Sequence, residues 1–368
     1  MALRKSHFNE VRMQMNGFMQ TAVALLRRES LRRWLAPAVA SVAVWTACTQ
    51  TRSDTWVDPA SHQVLMIAVA PRVQLEVLDW GGKHLPIVFL AGLGDTGHAF
   101  DTFAARFHDA FRPIAITRRG FGASSRPDSG YDSATRAHDI LAVLDSLHIA
   151  RAILVGHSIA GDELSRFAVT YPDRVSALVY LEAYSYGTDA PAEFPPYPEQ
   201  AEPPRMTRAD SASVQSVIAY WPRRFEYEPV EADVRAVCEF AESGRLKLLP
   251  APNESGRVYQ GTSRSEYSRV RAPALAIYAP HASLADLFPR ASRFDEQNRA
   301  AAMRYLSAQQ QYEARQMSRF RAEVRGGVVV TMPGTSHYVH YRSADAVENT
   351  MRTFLRGVSI GAGEQPGT

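Results

Sequence analysis

A serine near the middle of the chain lies between an apolar run and a helical pattern. Ala152–Glu163 reads AILVGHSIAGDE, so Ser158 follows a strand-like segment and has small neighbours. On a sharp strand-to-helix turn the hydroxyl is exposed, and the following helix directs N–H groups at any negative charge formed there. Small residues let the helix pass close to the strand. The pattern predicts a nucleophile, although a tight turn with a capping serine uses the same residue types.

A histidine near the other end of the chain supplies the base that such a serine needs. Val328–His340 reads VVVTMPGTSHYVH, an apolar run and a Pro-Gly turn followed by His337. A serine hydroxyl is a weak nucleophile at neutral pH, so an imidazole must take its proton and later pass it to the leaving group. We therefore expect His337 to be the base and His340 to be structural.

The elements that must position these residues are short apolar runs alternating with helical patterns. Continuous apolar strands separated by helices predict a mostly parallel sheet covered on both faces. The predicted strands are Val73–Leu78, Pro86–Leu90, Pro113–Thr117, Ala152–Val155, Ala177–Leu181, Ala274–Tyr278 and Val328–Thr331. A long helix is predicted around Ser292–Phe320.

Composition divides the chain into a leader, a linker, a core and an insertion. We expect residues 63–184 and 272–368 to form the core and the polar residues 49–62 to be a linker. Residues 185–271 are rich in proline and aromatic residues, and so long an insertion between strands is often a lid. Residues 1–48 form the leader.

The leader has the pattern of an export signal. Arg32 and Arg33 precede the uncharged run Trp34–Ala47, which is too short to span a membrane but suits a signal peptide. Cys48 follows at once, so the end of the run resembles the site at which bacterial lipoproteins are cleaved and lipidated. The sequence favours an exported protein, periplasmic or attached to the membrane through this segment. A buried amphipathic helix in a cytoplasmic protein is the alternative.

Charge and cysteine content argue against nucleic-acid and metal partners. Residues 1–47 carry seven of the 41 basic residues and two of the 38 acidic ones, so the rest of the chain has 34 basic and 36 acidic residues. That body is not basic enough for nucleic acid to be its main partner. Cysteine occurs at Cys48 and Cys238 only, a 48–238 bridge being a weak alternative, and no Cys/His cluster has zinc spacing. We expect no metal.

Six segments together resemble an α/β-hydrolase of the esterase-like group: FLAGLGD, TRRGFGASSRP, LVGHSIAG, RVSALVYLEA, PALAIYAP and MPGTSHYVH. The resemblance runs from about Val73 to Leu355, apart from the insertion. It implies an α/β-hydrolase fold with an inserted lid, and a serine hydrolase in which Ser158 is the nucleophile. One departure is Ala160, which replaces the last glycine of G-x-S-x-G, with Gly161 one place later.

The glycine loop of the first segment admits two interpretations. Gly92–Gly97 matches the dinucleotide pattern G-x-G-x-x-G, and Arg118 and Arg119 fall near the place of a 2′-phosphate contact. That interpretation leaves Ser158 and His337 unexplained. We therefore expect no cofactor, and we expect the two arginines to belong to a structural turn.

The resemblance assigns this loop to stabilisation of negative charge on the substrate. In such hydrolases the loop supplies one oxyanion-hole N–H, and the residue after the nucleophile supplies the other. Carried over, the donors are the backbones of Leu93 and Ile159. The family usually has His-Gly at the start of the loop, where this chain has Ala91 followed by Gly92.

The acid of the triad has two candidates. Its common place in the family is the loop after PALAIY, where this chain has no carboxylate before Asp286. Some branches place it after the preceding strand, where Glu182 lies in VYLEAY. We favour Glu182, because a strand end is a rigid platform. Asp162 and Glu163, on the helix after the serine, are expected to be surface or packing groups.

The expected activity is hydrolysis of carboxylic esters of small or medium size through an acyl-enzyme. Aromatic residues of the insertion would form an apolar roof suited to acyl groups; they are Phe194, Tyr197, Tyr220, Trp221 and Phe225. Alternatives on the same scaffold are an acyltransferase, a cofactor-free lyase or haloperoxidase, and a non-catalytic binding protein.

Overall fold

The computed structural model describes residues 56–185, 194–225, 227–248 and 252–358. The predicted leader, with Cys48 and its possible lipidation or bridge to Cys238, lies outside these residues, as does the first half of the predicted linker. Among the described residues, no helix has both the length and the apolar character needed to cross a membrane.

The strands of the described residues form one large sheet and one small pair. They are β1 (Gln63–Ala70), β2 (Val73–Asp79), β3 (Pro86–Leu90), β4 (Arg112–Ile116), β5 (Ala152–His157), β6 (Val175–Leu181), β7 (Glu239–Phe240), β8 (Leu246–Leu248), β9 (Ala274–Tyr278) and β10 (Val328–Thr331). The sheet order is β1-β2-β4-β3-β5-β6-β9-β10, and β7 pairs with β8. In the large sheet β2 runs antiparallel to β1 and β4, while the other neighbours are parallel.

Helices follow most strands of the large sheet. Those described are α1 (Asp101–Ala104), α2 (Ser133–Ser146), α3 (Ala160–Thr170), α4 (Val214–Phe225), α5 (Glu231–Val237), α6 (Pro252–Gln260), α7 (Leu284–Leu287), α8 (Glu296–Glu323), α9 (Val339–Arg342) and α10 (Ala344–Gly357). A 3₁₀ helix, Gly97–Phe100, connects the glycine loop to α1.

The core lies on both faces of the large sheet. Along β3 the side chains alternate: Val88 and Leu90 belong to one apolar cluster, and Ile87 and Phe89 to the other. Strands buried on both faces must be apolar at every position, which is why these runs lack polar alternation. The predicted mostly parallel sheet flanked by helices is confirmed.

Two elements differ from the sequence-based expectation. Gln63–Ala70 forms an additional edge strand, which was not predicted because a continuous apolar run does not by itself distinguish a strand from a helix. The long helix expected to start near Ser292 begins at Glu296, because the Asp295 carboxylate caps it by accepting a hydrogen bond from the Asn298 N–H at 2.8 Å.

The segment predicted as a lid, residues 185–271, contributes α4, α5, α6 and the β7–β8 pair in its described parts. Tyr227 stacks on Tyr338 at 3.8 Å between ring centroids and on Tyr341 at 5.0 Å. The segment therefore packs directly beside the loop that carries His337.

The aromatic residues expected to form a roof pack into separate clusters. Phe194 and Tyr197 contact the ring of Tyr305 on α8, whereas Trp221 packs on Phe225 within the insertion. The hydroxyl of Tyr220 donates to a backbone carbonyl at 2.6 Å. The domain boundaries stay a prediction.

Candidate active site

The turn that carries Ser158 is tight, and its small residues are required by space. Ser158 has a φ of +54°, in the left-handed region that non-glycine residues rarely adopt. A Cβ atom at Gly156 would lie 2.5 Å from the side chain of Leu164, and one at Gly161 would lie 2.9 Å from Ala183. Glycine at 161 thus gives the close approach of helix and strand that the sequence pattern predicts.

Three side chains form a continuous hydrogen-bond chain at this turn. Nε2 of His337 lies 2.9 Å from Oγ of Ser158, and Nδ1 lies 3.2 Å from Oε2 of Glu182. A carboxylate only accepts, so Nδ1 carries the proton and Nε2 is left to accept from the hydroxyl. The other oxygen of Glu182 accepts from the Ala279 N–H and from the Tyr184 hydroxyl. Such an arrangement can move a proton from serine to imidazole.

The structure brings Glu182, and not Asp286, to His337. Glu182 follows β6 directly and is 2% exposed, with a φ of +48° that turns its side chain toward the site. Asp286 lies in a capping box at the start of α7, where its carboxylate accepts from the N–H groups of Ala282 at 3.0 Å and Ser283 at 2.7 Å. The carboxylate of Asp286 is therefore used to cap its own helix and does not contact His337.

Two further histidines lie beneath His337, and both are buried. His157 donates from Nε2 to the backbone carbonyl of His337 at 3.0 Å, and its ring lies 4.8 Å from that of His340. Burial, and then the nearby His337, lowers the pKa of His157 well below its usual value and that of His340 to about 3. Both imidazoles are therefore neutral, and His157 fixes the backbone of the loop.

The two predicted oxyanion donors flank the serine turn. Neither the N–H of Leu93 nor that of Ile159 donates a hydrogen bond to another described residue. The glycine loop is held from below by Arg118, whose guanidinium donates to the carbonyls of Ala91 at 2.8 Å and Gly92 at 3.1 Å. These contacts fix the start of the loop, while the N–H of Leu93 has no acceptor among the described residues.

A buried ion network supports the same region, and the sequence did not predict it. Arg118 binds Glu163, which also accepts from Arg136 at 2.8 Å, while Arg136 binds Asp162 at 2.6 Å. Burial would raise the pKa of Glu163, but the charges of Arg118 and Arg136 outweigh it and lower that pKa. Asp162 and Glu163 were expected to be surface or packing groups; they are buried ion-pair partners.

The arginines considered for a nucleotide phosphate are both used internally. Arg118 binds Glu163 and the glycine-loop carbonyls. Arg119 forms a two-point ion pair with Asp139 at 2.5 and 2.6 Å. Paired and buried guanidinium groups stabilise the turn and need no ligand.

Comparison with protein families identifies the family of this chain. The model described as the alpha/beta hydrolase family matches residues 87–350, from β3 into the last helix. The chain belongs to the alpha/beta hydrolase family. Membership supports an enzyme of the alpha/beta hydrolase family. A small-molecule substrate is consistent with a hydrolase of this family.

Individual relatives cover different shares of this alpha/beta hydrolase. It is 26% identical over 248 residues to the 2-(acetamidomethylene)succinate hydrolase of Mesorhizobium japonicum, covering 57% of this chain and 85% of the relative. It is 36% identical over 108 residues to a non-heme chloroperoxidase of Streptomyces lividans, covering 28% of this chain and 39% of the relative. The crystal structure of an E-2-(acetamidomethylene)succinate hydrolase superposes with a TM-score of 0.58 at 22% identity, over 80% of this chain and 99% of that one.

Proposed function

We propose that this alpha/beta hydrolase is a serine hydrolase that cleaves carboxylic esters or related acyl compounds through an acyl-enzyme. The observation that carries the proposal is the relay of 2.9 Å from Ser158 to His337 and 3.2 Å from His337 to Glu182. These distances allow direct proton transfer without a bridging water.

In the first step Ser158 attacks the carbonyl carbon of the substrate. Its hydroxyl proton passes to Nε2 of His337 as the Oγ–carbon bond forms, and the carbonyl electrons move onto oxygen. Glu182 stabilises the imidazolium through Nδ1–H. The N–H groups of Leu93 and Ile159 are the proposed donors to the oxyanion, because they have no other described acceptor.

The second step releases the alcohol and then the acid. The imidazolium returns its proton to the leaving oxygen, so the carbon–oxygen bond breaks and Ser158 stays acylated. A water molecule then attacks, giving its proton to His337, and collapse of the intermediate restores the serine hydroxyl. Both half-reactions use the same atoms, so one fixed relay suffices.

An apolar acyl group is the proposed substrate feature. The side chains of Leu93 and Tyr259 pack on a cluster that contains Ile159 and Phe121, beside the proposed oxyanion donors. Tyr259 comes from α6, so the insertion contributes to these surroundings. Apolar walls with a few convergent polar groups suit esters of short or medium acyl chains.

The test is hydrolysis of p-nitrophenyl butyrate by the full chain, by Ser158→Ala and by the exposed control Ser146→Ala. We expect loss of the nucleophile to lower kcat by at least about 10³-fold, with the control unchanged. A fluorophosphonate should label Ser158 in the wild type and nothing in Ser158→Ala. Equal turnover in wild type and Ser158→Ala, or absence of both turnover and labelling in the wild type, contradicts the proposal.

The identity to a chloroperoxidase supports a second candidate reaction. Hydrogen peroxide can replace water as the acyl acceptor at the same serine, which releases a peracid in place of the acid. Adding acetate and hydrogen peroxide and measuring bromination of a dye distinguishes the two acceptors. Added alcohol tests acyl transfer in the same way, by the appearance of a new ester.

A further inference from the structure

Four potential metal ligands that take no part in the serine relay meet at the 3₁₀ helix after the glycine loop. Asp58 and His62 precede β1, His98 lies in the 3₁₀ helix after the loop, and Asp101 starts α1. One ligand atom from each lies within 4.8 Å of the others. The pair Asp58 and His62 is separated from the pair His98 and Asp101 by β1, β2 and β3. A local sequence motif therefore cannot reveal this cluster.

Four nitrogen–oxygen distances within the cluster are close to the spacing of ligand atoms around one ion. His62 Nε2 lies 3.5 Å from Oδ2 of Asp58 and 3.1 Å from Oδ1 of Asp101, and His98 Nδ1 lies 3.2 Å from Oδ2 of Asp58 and 3.1 Å from Oδ2 of Asp101. Metal–ligand bonds of about 2.0–2.2 Å correspond to tetrahedral edges of about 3.3–3.6 Å. Because the two imidazoles approach different oxygens of Asp101, binding of one ion requires the side chains of the cluster to adjust around it.

The cluster also contains buried polar atoms without partners. Within the described part of the chain, both ring nitrogens of His62 and Oδ1 of Asp101 have no hydrogen bond, although Nε2 and Oδ1 are 3.1 Å apart. Their side chains are 2% and 3% exposed. Buried polar atoms are normally satisfied, so atoms that converge without bonding one another point to a ligand between them.

We propose that Asp58, His62, His98 and Asp101 bind one divalent cation of the zinc class. Two imidazoles and two carboxylates form a donor set that zinc accepts in tetrahedral sites, and the two carboxylate charges balance the ion. Asp58 is 22% exposed and provides the route of entry from solvent. Glu76 lies 3.7 Å from Nε2 of His98, the place of an outer carboxylate that orients a ligating ring.

The cation would connect the segment before β1 to the glycine loop. The N–H of His98 donates to Oγ1 of Thr96, within this loop, at 3.3 Å. Trp56, two residues before Asp58, packs under the guanidinium of Arg235 on α5 at 4.7 Å. Binding would therefore stabilise the folded chain, and its effect does not depend on the proposed chemistry at Ser158.

The experiment measures metal binding by the full chain after EDTA treatment and exchange into metal-free buffer. We expect one equivalent of Zn²⁺ by calorimetry, a rise in Tm, and the visible absorption of tetrahedral Co²⁺ when cobalt is used as the probe. His62→Ala should weaken Zn²⁺ binding by at least about 100-fold, because loss even of an outer partner costs 10–100-fold.

His281→Ala is the matched control, because that ring pairs with the single carboxylate of Glu313 at 2.5 Å. It should bind Zn²⁺ as the wild type does. If His62→Ala does not fold, Asp58→Asn, at a partly exposed position, takes its place. Absence of saturable Zn²⁺ binding in the wild type, wild-type Zn²⁺ affinity in the ligand variant (His62→Ala, or Asp58→Asn in its place), or a Co²⁺ spectrum without tetrahedral bands overturns the proposal.

Discussion

Two residues of the proposed relay share an unusual backbone conformation. Ser158 and Glu182 follow the adjacent strands β5 and β6, and both have positive φ values. The N–H of Ser158 donates to the carbonyl of Leu181 at 3.0 Å, and that of Glu182 to Ile277 at 2.8 Å. Ladder bonds to the next strand hold each residue in a conformation that would otherwise be disfavoured, so both side chains turn out of the sheet edge.

Glu182→Gln tests which acid orients the base. The amide cannot stabilise the imidazolium, so kcat for p-nitrophenyl butyrate should fall by roughly 10⁴-fold while the fold is retained. Asp286→Asn is the control, because Asp286 only caps α7, and it should keep full activity. A larger loss for Asp286→Asn than for Glu182→Gln would assign the role to Asp286.

At the scale of elements, the glycine loop after β3 is clamped on several sides. Arg118 holds its carbonyls, and Asp233 on α5 accepts from Thr96 through the N–H at 3.0 Å and the hydroxyl at 2.6 Å. A Cβ atom at Gly92 would lie 2.8 Å from Nδ1 of His157 and 2.9 Å from Asp95. A side chain at 92 therefore has to displace either the loop or the histidine beneath the proposed base.

Gly92→Ala should reduce kcat/KM by at least about tenfold, because misplaced oxyanion donors lose much of their effect. Gly256→Ala is the matched control on α6, since a Cβ there meets nothing within 4 Å. That change should leave activity intact and raise stability by up to about 1 kcal/mol. Equal activity of the two variants in steady-state assays would show that the loop tolerates the added carbon.

At the scale of the whole molecule, two buried acids lie where the core contacts the insertion. Asp95 belongs to the glycine loop and Asp233 to α5. Burial, and then the charge of Asp233, raises the pKa of Asp95 well above its usual value. Burial also raises the pKa of Asp233 to about 6, despite hydrogen bonds from Thr96 that oppose the shift. The folded protein therefore keeps protons here that the unfolded chain releases.

Asp233→Asn should remove part of the pH dependence of unfolding. Because the folded pKa exceeds the unfolded value near 3.8, the stabilising contribution is complete below that pH and is lost as the pH rises through about 6. The wild type should lose up to about 3 kcal/mol relative to Asp233→Asn between pH 4 and pH 7. Urea unfolding at several pH values measures the difference. If the free energy of unfolding depends on pH in the same way in both proteins, the raised pKa of Asp233 is contradicted.

The sequence by itself determined the class of fold and two members of the candidate site. Strands buried on both faces must be continuously apolar, so β3, β5, β6 and β9 are visible as runs, and the predicted α/β-hydrolase fold is confirmed. Ser158 and His337 could be singled out because each lies in a contiguous motif whose residue types follow from the geometry of one turn.

Only the tertiary structure decided which distant groups meet these residues. Glu182 and His337 are 155 positions apart, and both candidate acids preserve the same chain order, so the choice depends on how strand ends and helix caps pack. The ion network around Glu163 and the cluster around His62 likewise join separate segments. Local sequence patterns indicate secondary structure. Long-range contacts form only when the strands assemble into the sheet, so they cannot be predicted from the spacing of residues along the chain.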